Sequence, residues 1–170
     1  MLGLFERDFD AVIRFLDKLP NDDLKTDFYA ITYQLAGQPD LAEPYFETAK
    51  EWLEQRVADP NLSVGKSRRL MRLAYMTAGL GDFDEARRLA NESMGIRFPD
   101  EPMVTKQLLY LAAIGVFIPA GDHDRAIVLL DEHLATPVGW TIEGLLHDPR
   151  LDPIRDHPDW LALVEKYKRQ

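Results

Sequence analysis

Apolar residues recur along this chain at the i, i+3, i+4, i+7 spacing of helices, and no segment alternates with the period of two that a half-buried strand requires. Residues 3–18 are predicted to form a first helix, with Leu4, Phe5, Phe9, Val12, Ile13 and Leu16 on a broad apolar face. Pro20-Asn-Asp-Asp23 interrupts it and offers capping side chains to a second helix over about 24–36. Gly37 ends that helix, because a left-handed backbone is cheap only for glycine. Asp40-Leu-Ala-Glu43 and Asp82-Phe-Asp-Glu85 read as capping boxes, opening helices that run to about Val57 and Met94. Pro44 falls in or just past the first turn of the former, where a missing amide costs least. Further helices are expected over about 64–79, from Asp100-Glu-Pro102 to Ile118, and from Asp122 to about Ala135. Gly95 and Pro99 punctuate one connection; after Pro137 come a short helical piece, the segment "HDPRLDPIRDHPDW" and a last helix over about 158–168.

Three glycine turns align: "AGQPDLAEPYFETA" from Ala36, "LGDFDEARRLANES" from Leu80 and "AGDHDRAIVLLDEH" from Ala120. In each, alanine follows glycine by five residues (Ala42, Ala86, Ala126), with Phe46, Ala90 and Leu130 four further on and Ala49, Ser93 and His133 three beyond those. The glycine turns the chain between two helices, the small residue lets them approach, and the next position fills the groove between them. The glycines are 44 and 40 residues apart, so each unit is a helical hairpin.

The series Tyr33…Gly37…Ala42…Phe46…Ala49 resembles the tetratricopeptide repeat signature. Thr77 and Phe117 stand where Tyr33 stands in the first unit, and His133 departs from the usual small residue. "RDFDAVIRFL" resembles the second helix of one more unit, with Phe9 and Val12 matching Phe83 and Ala86; the resemblance then implies that Met1 begins a trimmed chain. The ending "LLHDPRLDPIRDHPDWLALVEKY" looks like the end of tetratricopeptide regions in bacterial multidomain proteins, where the repeats follow an adenylate cyclase, protein kinase or DNA-binding regulator domain. The expected fold is all-α: one right-handed superhelix of antiparallel hairpins (24–57, 62–95 and 100–136), a partial unit over 1–20 and a C-terminal cap over 140–170. Trp160 would be the lid that such an open stack needs at its end.

Composition narrows the function. A net charge of −9 in 170 residues repels phosphates and anionic lipid, so neither nucleic acid nor membrane is an expected partner. The longest apolar run, Leu108 to Ala120, is too short to span a bilayer, and the acids of "MLGLFERDFD" stand where a signal peptide needs a basic start; a cytoplasmic location is expected. The absence of cysteine removes disulfides, thiolate metal sites and thiol nucleophiles.

"PNLSVGKS" over 60–67 approaches the phosphate-loop pattern, but Pro60 replaces its first glycine and a helix, not a strand, precedes it. It reads as a connection in which Asn61 or Ser63 caps the next helix. His123, His133, His147 and His157 show no metal-ligand spacing, and Asp122, His123 and Asp124 read as a capped, solvated turn. No nucleophile elbow or paired catalytic carboxylate is apparent, so no enzyme, metal or cofactor is expected. Tyr29, Tyr33, Tyr45, Phe46 and Trp52 read as core, while the place of Trp140 stays open.

The unusual charges are Lys66, Arg68, Arg69 and Arg72, a basic run in an acidic chain. Arg68 and Arg72 share a helical face with Tyr75 nearby. In tetratricopeptide repeats first helices line the concave surface, so the resemblance implies a partner groove carrying Gln34, Arg68, Arg72, Tyr75 and Gln107. The plainer reading pairs Lys66 and Arg69 with acids of a neighbouring helix. The lysine and asparagine pattern that clamps chaperone C-termini is missing. The expected function is a non-catalytic interaction or regulatory scaffold for a protein or peptide. Self-association through an end of the stack is a related reading, and a small-ligand or nucleotide sensor using residues 66–72 is the rival.

Overall fold

The computed structural model describes residues 6–20, 23–62, 65–96, 102–136 and 140–168, without the side chains of 23, 24 and 102–106. The expectations placed on Leu4, Phe5, Asn21, Asp22, Ser63, Pro99, Asp100, Glu101 and Pro137 lie outside those residues. Every regular element among the described residues is helical: α1 (Phe9–Leu16), α2 (Asp23–Leu35), α3 (Pro39–Ala58), α4 (Lys66–Gly79), α5 (Phe83–Gly95) and α6 (Pro102–Ala112). α6 continues as a π-helical segment (Ala113–Phe117), followed by α7 (His123–Leu134), α8 (Ile142–Leu146), a 3-10 segment (Pro149–Ile154) and α9 (Pro158–Lys168). Each helix from α1 to α6 packs against the next, α9 packs on α7 and α8, and α4 also packs against α6.

The three glycine turns are the same structure. Gly37, Gly81 and Gly121 have φ of 72°, 85° and 76°, a region where a Cβ is strained. Beyond each, an amide reaches back over the turn: Gln38 donates to Tyr33 at 2.9 Å, Asp82 to Thr77 at 3.3 Å and Asp122 to Phe117 at 2.9 Å. Each glycine amide also donates to the residue three before it, Gln34, Ala78 and Ile118. This pair of bonds satisfies carbonyls that a helix end leaves orphaned. The small and filling positions are all buried: Ala42, Ala86 and Ala126; Phe46, Ala90 and Leu130; Ala49, Ser93 and His133. Ser93 donates to the Ser67 carbonyl at 2.6 Å, and the His133 ring lies 5.1 Å from that of Tyr110, which accommodates a large residue at a small-residue position.

Several local expectations are corrected. α1 begins at Phe9, so the expected helix does not run through residues 6–8; Asp8 caps it by accepting from the Ala11 amide. α3 begins at Pro39 with Gln38 as N-cap, so Asp40 lies in the first turn and is no capping box. Proline at N1 explains the earlier start: its fixed φ already suits a helix and its missing amide would be orphaned there anyway. Asp82 does cap α5 through the Glu85 amide at 3.3 Å. Asp122 holds the N-cap position of α7 without a side-chain bond. Asn61 caps no helix: its amide donates to Asp59, and α4 opens instead at Gly65, with φ of 72°. The apolar run that ends α6 is not uniform α-helix but contains the π segment.

Two glycines inside helices are set by packing. A Cβ on Gly79 would lie 2.3 Å from the Phe46 ring, and one on Gly115 would lie 1.9 Å from the Tyr75 ring. Gly115→Ala is expected to destabilise by about 1–3 kcal/mol, the range for overpacking a filled core. Urea unfolding measures the loss, and near-UV circular dichroism should report a displaced tyrosine; wild-type values in both would place the Tyr75 ring elsewhere.

Candidate functional site

α2, α4 and α6 present one face, and the C-terminal segment crosses it. Between them lies a cavity of about 340 Å³. α2 contributes Asp27, Phe28 and Ile31; α4 contributes Arg68, Met71, Arg72, Tyr75 and Met76; α6 contributes Gln107, Leu108, Tyr110 and Leu111. Trp140 and Arg150 close it from the C-terminal segment. Four of the five residues expected in a groove therefore meet in one cavity: Arg68, Arg72, Tyr75 and Gln107. Gln34 does not. It is exposed beside the first glycine turn, at a second cavity of about 240 Å³ with Pro39, Glu43 and Leu80.

Helical spacing explains the convergence. Arg68 and Arg72 are one turn apart on α4, and Tyr75 follows on the same face. On α6, Gln107 and Leu111 stand 39 residues after Arg68 and Arg72, although the turn glycines that follow these helices, Gly81 and Gly121, are 40 apart. The π segment lies between, and one added residue is what a π turn inserts.

The three arginines are in different electrostatic states. Arg72 donates through Nε to Asp27 Oδ2 at 2.7 Å, and its guanidinium lies 5.3 Å from the centre of the Trp52 ring. Arg150 is locked to Asp148: Nε reaches Oδ1 at 2.9 Å and Nη2 reaches Oδ2 at 2.6 Å. The Arg150 amide also donates to Asp148 Oδ1, at 3.0 Å. Tyr110 joins them by donating to Asp148 Oδ2 at 2.5 Å and accepting from Arg150 Nη2 at 3.0 Å. Burial pushes the Asp148 carboxyl up, but the bonds from Arg150 outweigh it and hold it below the usual aspartate range. Burial raises both phenols, Tyr75 and Tyr110, so they stay protonated and can donate. Arg68 is exposed and has no ion-pair partner among the described residues.

The rest of the basic run is accounted for. Lys66 lies 3.8 Å from Glu92 of α5, as the plainer reading expects. Arg69 pairs with no acid among the described residues; its Nη2 donates to the Leu62 carbonyl and so ties down the connection before α4. A phosphate cradle at residues 60–67 would need freely presented amides, and this basic side chain is spent on a carbonyl there instead.

Trp140 stacks on Tyr110, with ring centres 5.7 Å apart and planes 19° from parallel. Asp27, Tyr110, Trp140 and Arg150 were not visible as site residues in the sequence. Tyr110 carries a signal, being one helical turn from Gln107; Asp148 and Arg150 carry a weaker one, a cap two residues before an arginine. Tyr29, Tyr33 and Tyr45 form a stacked trio with ring centres 4.9–6.1 Å apart, and Trp52 lies against arginines; of the aromatics expected in the core, Tyr29 and Phe46 are buried, while Tyr33, Tyr45 and Trp52 are half-buried against it.

Outside the cavity, ligand atoms of Asp124, His157 and Asp159 lie within 4.8 Å of one another. His157 Nε2 is 3.3 Å from Asp124, while its Nδ1 accepts from the Asp159 amide at 3.3 Å. An Nδ1 that accepts puts the neutral ring's proton on Nε2, which makes that atom a donor to Asp124 rather than a metal ligand.

No helix of the described residues is long and apolar enough to cross a membrane. Family models, curated proteins and solved structures were compared with the chain, and none matches.

Proposed function

We propose that this protein is a non-catalytic recognition module, a tetratricopeptide-like superhelix that holds a protein or peptide partner on the face of α2, α4 and α6. The observation that carries the reading is the meeting of Arg68, Arg72, Tyr75 and Gln107 in one cavity on that face. The face is rigid: Arg72 and Arg150 are held by buried or half-buried carboxylates, so little ordering cost falls on them when a partner docks. The resemblance of the tail adds a context, in which the module reports to a cyclase, kinase or transcription-regulator domain.

Arg68→Glu is the clean probe, because the side chain is exposed and breaks no pair among the described residues, whereas Arg72→Glu also breaks the pair with Asp27. In a peptide-array or pull-down assay, Arg68→Glu should weaken capture about tenfold, the equivalent of one charge-assisted hydrogen bond. Unchanged capture would move the partner site off this face. A nucleotide sensor is less favoured, because Lys66 faces Glu92 and Pro60 removes an amide from the loop; a thermal shift with nucleotides, lost in Lys66→Ala, would reverse that preference.

A further inference from the structure

The cavity has features that an extended partner lying across the face would not need. It is closed on one side by Trp140 and Arg150, and its volume of about 340 Å³ falls in the range of small-molecule sites, ~300–1,000 Å³. Its walls are flat or adaptable: Phe28, Tyr75, Tyr110 and Trp140 supply rings, Met71 and Met76 supply flexible thioethers. Its charge is set by pairing. Asp27 offsets Arg72 and Asp148 offsets Arg150, which leaves Arg68 as the one positive charge of the cavity without an ion-pair partner among the described residues.

We propose that this cavity binds a free small organic monocarboxylate with a flat apolar body, the ring among the aromatic and methionine side chains and the carboxylate on Arg68 and the Gln107 amide. One free charge matches a monoanion. A phosphate dianion would find no second unpaired cation among the described lining residues and would sit beside Asp27. A guanidinium presents parallel donors that fit a carboxylate. The proposal shares its location with the groove reading but not its ligand, so the two can fail separately.

The test uses the whole chain and 3-phenylpropionate as probe, with 3-phenylpropanamide, phenethyl phosphate, and a peptide ending in phenylalanine as acid or amide. Calorimetry and tryptophan fluorescence should show saturable binding of the carboxylate, with the amide and the phosphate each weaker by about tenfold or more. Arg68→Gln should lose the same factor while keeping the thermal midpoint of the free protein. Ile31→Trp, which fills the cavity without touching its charge, should abolish binding; its midpoint and far-UV spectrum identify a folded variant. Equal affinity for carboxylate and amide, unchanged affinity in Arg68→Gln, or no saturation at millimolar carboxylate would overturn the proposal. Binding of the peptide acid but not of free phenylpropionate would overturn it too while leaving the groove reading intact.

Discussion

Asp148→Asn is expected to cost about 3–5 kcal/mol of unfolding free energy, the penalty for leaving a buried partner charge uncompensated. The Asp148 side chain is 1% exposed and that of Arg150 13%, so water cannot replace the lost carboxylate. Asparagine keeps the shape but presents an amide to Arg150 and Tyr110, both of which donate to the present carboxylate oxygens. The pH dependence gives an independent check. The folded-state pKa of Asp148 is depressed, so its contribution is complete above the ordinary aspartate value of ~3.9 and is lost as pH falls through the lower folded value. Urea titrations should therefore show a wild-type-to-variant gap that is widest near neutrality and shrinks in acid. A gap under about 1 kcal/mol, the worth of an exposed pair, would mean that the network is solvated. Removing both charges as Asp148→Leu/Arg150→Met should recover much of the loss, because an apolar pair of similar volume has no desolvation to offset.

The elements that could be read in advance are those specified by short-range chemistry. Gly37, Gly81 and Gly121 announce left-handed turns because few other residues tolerate that backbone, and Ala42, Ala86 and Ala126 announce close helix approach because small residues let helices approach, and all three are buried. Arg68, Arg72 and Tyr75 could be grouped because one helix carries all three. Gln34 went astray by the same logic: helical phase puts it near the groove face, but the cavity ends at Ile31, a turn earlier. The C-terminal wall was not legible, since Trp140 and Arg150 reach α2 and α4 only through the packing of the tail. Asp148 looked like any acid in a polar segment, and its burial comes from Tyr110, 38 residues away. The π segment is hidden for another reason. Its residues Ala113–Phe117 are all buried, so an α-helix and a π turn leave the same apolar run.

Trp160→Ala should be the other large effect, about 3–5 kcal/mol for truncating a buried tryptophan. Trp160 is 1% exposed and lies on α9, the last helix, which packs on α7 and α8. Polar contacts hold the same helix along its length: Lys166 and Tyr167 both reach Asp131 of α7, at 2.6 and 2.7 Å, and His157 precedes it opposite Asp124. These contacts are exposed or half-buried and are worth much less than the buried ring. Units in a stack of hairpins touch mainly their neighbours, so damage at one end spreads less than damage in the middle. Hydrogen exchange should accordingly rise first in α9 and the 3-10 segment, while α3, α4 and α5 keep their protection. Phe46→Ala removes a ring buried between α3 and Gly79 of α4 and should instead lower protection across both. Loosening of α9 should also reach the cavity, because Arg155, just before it, holds the carbonyls of Leu146 and Asp148 at 2.7 and 3.0 Å and so anchors the wall that carries Arg150. Uniform loss of protection in Trp160→Ala would make the chain one cooperative block and refute the terminal-cap role of α9; loss confined to α9 with Arg150 still in place would show that the wall stands without the cap.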